Sequence, residues 1–153
     1  MKLIIAYGSS TGNTAKIAAG LASVFREKGM DVAVKTTAGI KAADLQDYDV
    51  VLLGSSTWGL GSLQESVKPM FLALSDVNLE GKLGGAFGCG DAYSYPRTFC
   101  KAVDLLQKRL KDCGVKLVQP GLKVNGDIES SKDMIAEWAQ RAADVIAVMS
   151  SEG

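Results

Sequence analysis

The apolar positions of this chain fall into short unbroken runs separated by longer stretches where they recur every three or four residues. Leu3-Ile4-Ile5-Ala6 within residues 2–7 and Val50-Val51-Leu52-Leu53 within 49–54 are continuous, as strands covered on both faces require. Between 13 and 28, Ile17, Ala18, Leu21, Ala22, Val24 and Phe25 keep helical spacing, and Gly29 stands where a helix end favours a left-handed residue. Residues 31–36 alternate Val32 and Val34 with polar neighbours, a second strand. Residues 38–45 read as a short turn, and 67–74 as a short helix with Pro69 in its first turn. Residues 82–88 read as a strand weakened by Gly84 and Gly85, and 98–113 as a helix closed by Gly114. A last strand, 115–118 with 122–124, is broken at Pro120-Gly121, and 130–149 form a final helix opening on a Ser-Ser-Lys-Asp cap.

Strand and helix therefore alternate through residues 1–153 with neither linker nor repeat. The expected architecture is a single α/β domain, a three-layer sandwich around a parallel sheet. Ligands in such sheets lie beyond the carboxyl ends of the strands, where strand order reverses. Polar loops after the first, third and fourth strands all fall on that edge, so one site can draw on all three.

Composition narrows the chemistry. His 0 removes His-based triads, His general bases and His metal sites together. Lys+Arg 17 against Asp+Glu 17 offers no charge footprint for nucleic acid or an anionic membrane. No apolar run reaches the roughly 18–20 residues of a membrane span, and the start is too short for a signal peptide. Cys89, Cys100 and Cys113 are odd in number and lack metal-ligand spacing, which fits a reduced cytoplasm and no metal.

The first loop, Tyr7-Gly8-Ser9-Ser10-Thr11-Gly12-Asn13-Thr14, carries hydroxyls and no Lys or Arg. Set between strand and helix, it suits a phosphate held by N–H groups and hydroxyls; standing alone, it is equally a plain Ser/Gly connection. It lacks both the Gly-Lys-Ser/Thr of a triphosphate loop and the G-x-G-x-x-G of a dinucleotide site. The second loop, Ser55-Ser56-Thr57-Trp58-Gly59, sets a Trp among small residues, as for presenting a ring face to something flat. The third, Gly88-Cys89-Gly90-Asp91-Ala92-Tyr93-Ser94-Tyr95, offers a second aromatic, with Asp91 readable either as a site residue or as a turn residue. Cys89 and Cys100 read as packing residues at the site wall.

Together, the T-G-N-T loop, S-S-T-W-G at 55–59, G-C-G-D…Y…F-C at 88–100 and G-L-K-V-N-G-D at 121–127 resemble the flavodoxins, specifically the short-chain type. The resemblance covers essentially the whole chain. It implies a five-stranded sheet of order 2-1-3-4-5, an order taken from the family rather than read from the pattern, with FMN at the switch point. It also implies that Ser9, Ser10, Thr11, Gly12, Asn13 and Thr14 hold the FMN phosphate. Trp58 and Tyr95 would stack on opposite faces of the ring, and the Gly59 carbonyl would turn toward flavin N5. Cys89, Gly90, Asp91 and Cys100 would line its pyrimidine end, with Ser55, Ser56, Thr57 and Phe99 completing the set.

On this resemblance the chain is a monomeric, low-potential one-electron carrier, without catalytic residues of its own. Its FMN would cycle between semiquinone and hydroquinone and serve redox partners such as a reductase or hydrogenase. The same pocket leaves an FMN-dependent NAD(P)H:quinone or flavin reductase as the alternative. A phosphoacceptor receiver domain would need an acidic cluster after the first strand, where Gly8-Ser9-Ser10 stands. Two departures from the family bear on docking: the net charge is zero, and residues 59–64 carry no carboxylate before Glu65.

Overall fold

The computed structural model describes residues 1–9, 11–58 and 61–152, with Trp58 and Glu152 described as backbone only. Its main sheet is built from β1 (Lys2–Gly8), β2 (Asp31–Thr36), β3 (Val50–Ser55) and β6 (Leu83–Gly90), in the order β2-β1-β3-β6 and all parallel. Beyond β6 the lane is shared by two short strands, β7 (Lys116–Leu117) and β8 (Leu122–Asn125). The expected order 2-1-3-4-5 is present once these two are taken as its broken fifth member, which gives six strands in place of five. The break falls at Pro120, which has no N–H to give a ladder; Val118 N–H reaches the Gly84 carbonyl at 2.9 Å before it.

Alternation along the buried strands assigns the two cores. Leu3, Ile5, Val50 and Leu52 face α1 (Asn13–Glu27) and α4 (Lys132–Glu152). Ile4, Ala6, Val51 and Leu53 face α2 (Lys68–Ala73) and α3 (Lys101–Asp112). Gly84 and Gly85, which weaken the strand pattern, lie against neighbouring elements. A Cβ on Gly85 would lie 3.4 Å from the Trp138 ring, and one on Gly84 would press on the Val51 carbonyl.

Several boundaries depart from the sequence pattern. Residues 55–66 are not wholly loop: β4 (Thr57–Trp58) and β5 (Ser62–Leu63) form an antiparallel hairpin there. β6 runs on to Gly90, because Cys89 and Gly90 pair with Val124 and Asn125. α3 begins at Lys101 rather than 98, since Cys100 takes a left-handed φ of 51°. Residues 37–47 form two 3₁₀ turns, Thr37–Gly39 and Ala42–Asp47. The Ser130 and Ser131 hydroxyls donate back to the Asp127 carbonyl at 3.0 and 3.2 Å, in place of the expected cap role for the last helix.

Candidate functional site

β1 and β3 are neighbours whose outer partners lie on opposite sides, so the strand order reverses between them. Their carboxyl ends meet where Gly8 pairs with Ser55. A cleft of about 390 Å³ opens at this edge, lined by Thr11, Asn13, Ser56, Thr57, Cys89, Gly90, Asp91, Tyr95 and Gly126. All three polar loops thus contribute to one site, as the alternation of elements requires.

The first loop is shaped by its own atoms. Gly12 N–H donates to Ser9 Oγ at 2.9 Å, and Gly12 takes a φ of 90°, which a side chain would resist. Space is open where a Gly12 Cβ would stand. α1 starts directly after it with no side-chain cap and no acidic residue in its first turn. Its leading N–H groups, which no helix carbonyl can satisfy, are therefore presented beside Thr11 and Asn13 at the cleft. Thr14 is fully buried, and its hydroxyl lies 3.6 Å from the sulfur of Cys89, which lines the cleft.

The second loop is pinned at both ends. Thr57 Oγ1 accepts the Ala102 N–H at 2.9 Å, tying the hairpin to the start of α3. Ser55 is buried; its hydroxyl donates to the Ser56 carbonyl at 2.8 Å and accepts the Gln64 N–H at 3.0 Å. The stem of Lys101 lies over Gly61 on the hairpin's far leg. Ser10, Gly59 and the Trp58 side chain lie outside the described residues.

In the third loop Asp91 is both a turn residue and a cleft residue. Its Oδ1 accepts the Tyr93 and Ser94 N–H groups at 3.0 and 3.1 Å, while its carbonyl accepts that of Tyr95 at 2.9 Å. Ser94 hydrogen bonds hold the Asp91 carboxyl below its ordinary range. The chain is stitched to the turn after β8, where Asn125 Oδ1 accepts Ala92 N–H at 3.0 Å and Gly90 O accepts Gly126 N–H at 3.2 Å. Tyr95 keeps 43% of its surface exposed at the cleft, whereas Tyr93 projects outward at 95%.

Phe99 and Cys100 stand behind Gly90 rather than on the cleft: a Cβ there would lie 3.4 Å from the Phe99 ring and 3.3 Å from the Cys100 sulfur. Cys89 and Cys100 belong to opposite cores. Burial pushes the Cys89 thiol up against a small lowering by Thr14, and pushes Cys100 up to about 12 despite Lys123 nearby. Neither is a poised thiolate. Gly126 is the cleft residue absent from the expected set; the G-L-K-V-N-G-D segment was its only signal.

The donor set fits a flat anionic ligand. Hydroxyls and helix N–H groups from the first loop meet Gly90, Asp91 and Tyr95 of the third across the cleft. Among the described residues no group of His, Cys, Asp and Glu could hold a metal.

Known proteins of similar sequence and shape agree on one family. The flavodoxin profile matches residues 5–138. The flavodoxin of Maridesulfovibrio salexigens is 40% identical over 149 residues, spanning 95% of this chain and 99% of that protein. The crystal structure of oxidised Flavodoxin 2 from Bacillus cereus superposes with a TM-score of 0.90 at 34% identity, covering 94% of this chain and 99% of that one. A Fusobacterium nucleatum flavodoxin mutant bound to flavin mononucleotide shares the fold, with a TM-score of 0.73 at 17% identity over 95% of this chain and 93% of that one.

Proposed function

The chain belongs to the flavodoxin family, and from that premise we propose how its residues hold and tune FMN. It is an FMN-binding electron carrier and not an enzyme. The observation that carries this is the cleft at the switch point, where an uncapped helix start and two further polar loops converge. When bound, FMN supplies successive one-electron transfers, and the protein sets their ease.

The phosphate is held by N–H groups of α1's first turn and by the Ser9, Ser10, Thr11 and Asn13 side chains, with Gly12 giving the turn its shape. Thr14 contributes its N–H, because its hydroxyl faces Cys89. No Lys or Arg lies in this loop, so the bound phosphate keeps its charge and that charge is felt along the cleft. Extra negative charge on the ring is thereby disfavoured, which drives the second electron to lower potential. Trp58 and Tyr95 would cover the ring faces and exclude water, and the Gly59 carbonyl would accept a hydrogen bond from the flavin N5–H. Ser56, Thr57, Cys89, Gly90 and Asp91 line the ring edge, while Ser55, Phe99 and Cys100 support that wall from behind.

Among the described residues no helix is long and apolar enough to cross a membrane. The partners are redox proteins, which we take to be a reductase or hydrogenase and low-potential acceptors. The working form is a monomer in the cytoplasm, with residues 1–153 acting as one unit. Titrating the apoprotein with FMN tests the reading: flavin fluorescence should quench at one equivalent, and riboflavin should bind at least about tenfold more weakly. An apoprotein that leaves FMN fluorescence unchanged contradicts it.

A further inference from the structure

The net charge of zero is unevenly placed. Residues 68–123, which include α2 and α3, carry nine Lys and Arg against five Asp and Glu; residues 124–153, which include α4, carry two against six. α3 and α4 pack on opposite faces of the sheet. On the α3 side two carboxylates are already engaged: Asp104 holds Lys123 Nζ at 2.8 Å and Glu65 holds Lys68 Nζ at 2.9 Å. Among the described residues, Arg97, Lys101, Lys108, Arg109 and Lys111 have no carboxylate within ion-pair distance. The row starts at the cleft's own support. The Lys101 stem lies over Gly61 of the hairpin, and Thr57 Oγ1 accepts the Ala102 N–H at 2.9 Å. Further along, the Arg109 guanidinium stands 4.3 Å from the centre of the Phe71 ring, and Leu72, next in the chain, is 67% exposed.

We infer that the α3 face, from Arg97 and Lys101 beside the hairpin to Lys111, docks a redox protein whose contact surface is rich in carboxylates. This rests on the cleft being the FMN site. Unpaired cations along one helix repel one another, and an opposing acidic surface relieves that repulsion while fixing the register of the two molecules. The acidic excess of α4, on the other face, turns the α3 side toward such a partner as it approaches. A nucleic acid fits less well. Its regular phosphates would meet Asp104 and Asp112 within the row, whereas apolar Leu72 and an Arg over an aromatic ring are what a protein interface uses.

Two forms of one haem protein provide the probes: cytochrome c, which is basic, and cytochrome c with its lysines succinylated, which is acidic. Each is added to the FMN-loaded protein at low salt while backbone amide resonances are followed by NMR. The succinylated form should shift amides of residues 97–111 and bind at least about tenfold more tightly than the basic form. Raising the salt from about 20 to 200 mM should weaken its binding about tenfold or more. Lys101→Gln with Lys108→Gln should weaken it about tenfold, whereas Lys28→Gln with Lys35→Gln, the same charge change at the β2 edge, should alter it less than about twofold. Tighter binding of the basic form, shifts confined to other elements, or equal loss in the two double variants overturns the inference. So does a DNA duplex that shifts these amides where the succinylated protein does not. The probe comparison and the salt dependence use the natural protein, so they decide even if a variant fails to fold. Docking at 97–111 by a chain that takes up no FMN would instead contradict the functional reading, because the apoprotein carries the same charges.

Discussion

At the scale of single residues, the site is set by groups whose alternatives are closed off. Asp91 spends its carboxylate on two N–H groups of its own loop, as the turn reading expects, and also lines the cleft. Cys100 is fully buried with a left-handed backbone, and its thiol is pushed up to about 12 from 9.0 mainly by desolvation. Burial of the neutral thiol stabilises the fold at pH below the unfolded value near 9.0, and that contribution is lost as pH rises toward about 12. Cys100→Ala keeps the Cβ and the backbone but removes the titrating group. Denaturant unfolding between about pH 8 and 11 should show stability falling more steeply in the natural protein than in the variant; parallel curves would refute the assignment.

At the scale of elements, two helices end alike but stand in different surroundings. Gly29 follows α1 at φ 85° and Gly114 follows α3 at φ 97°, each with the six-to-one hydrogen bond of a Schellman end, Met30 to Phe25 and Val115 to Leu110. A Cβ on Gly29 meets nothing within 4 Å, whereas one on Gly114 would lie 2.8 Å from Glu80 Cα. Gly29→Ala should therefore cost about 1–2 kcal/mol, the left-handed penalty alone. Gly114→Ala should exceed it by about 1 kcal/mol or more through backbone crowding. Urea midpoints of the two variants check this, and equal losses would contradict it. Both glycines are legible in the sequence because a helix end imposes a local demand. The extension of β6 through Gly90 is not, because it depends on pairing with Val124 and Asn125, more than thirty residues onward. The same holds for the hairpin at 57–63 and for Gln64, a polar residue in a polar stretch whose burial has no periodic signature. Cys100 delays the start of the expected helix through a left-handed backbone that no glycine announces.

At the scale of the whole molecule, the parallel sheet separates two apolar cores and leaves its carboxyl edge to three polar loops. That division follows from the continuous apolar strands and the alternation of elements, so the placement of the cleft was readable before its geometry. The charge pattern adds little to stability: the pairs Lys68–Glu65, Lys132–Glu129 and Arg141–Glu137 are all largely exposed, where solvent screens the attraction. With zero net charge, the chain as a whole offers little long-range steering to a charged partner. The central claim is that this edge holds FMN and separates its electrons. An anaerobic reductive titration of the FMN-loaded protein, followed by its visible spectrum and a potential-indicating dye, tests it most directly. The account predicts two well-separated one-electron steps, the second at markedly lower potential; a single two-electron wave, with NAD(P)H oxidised in the absence of any partner protein, would contradict it.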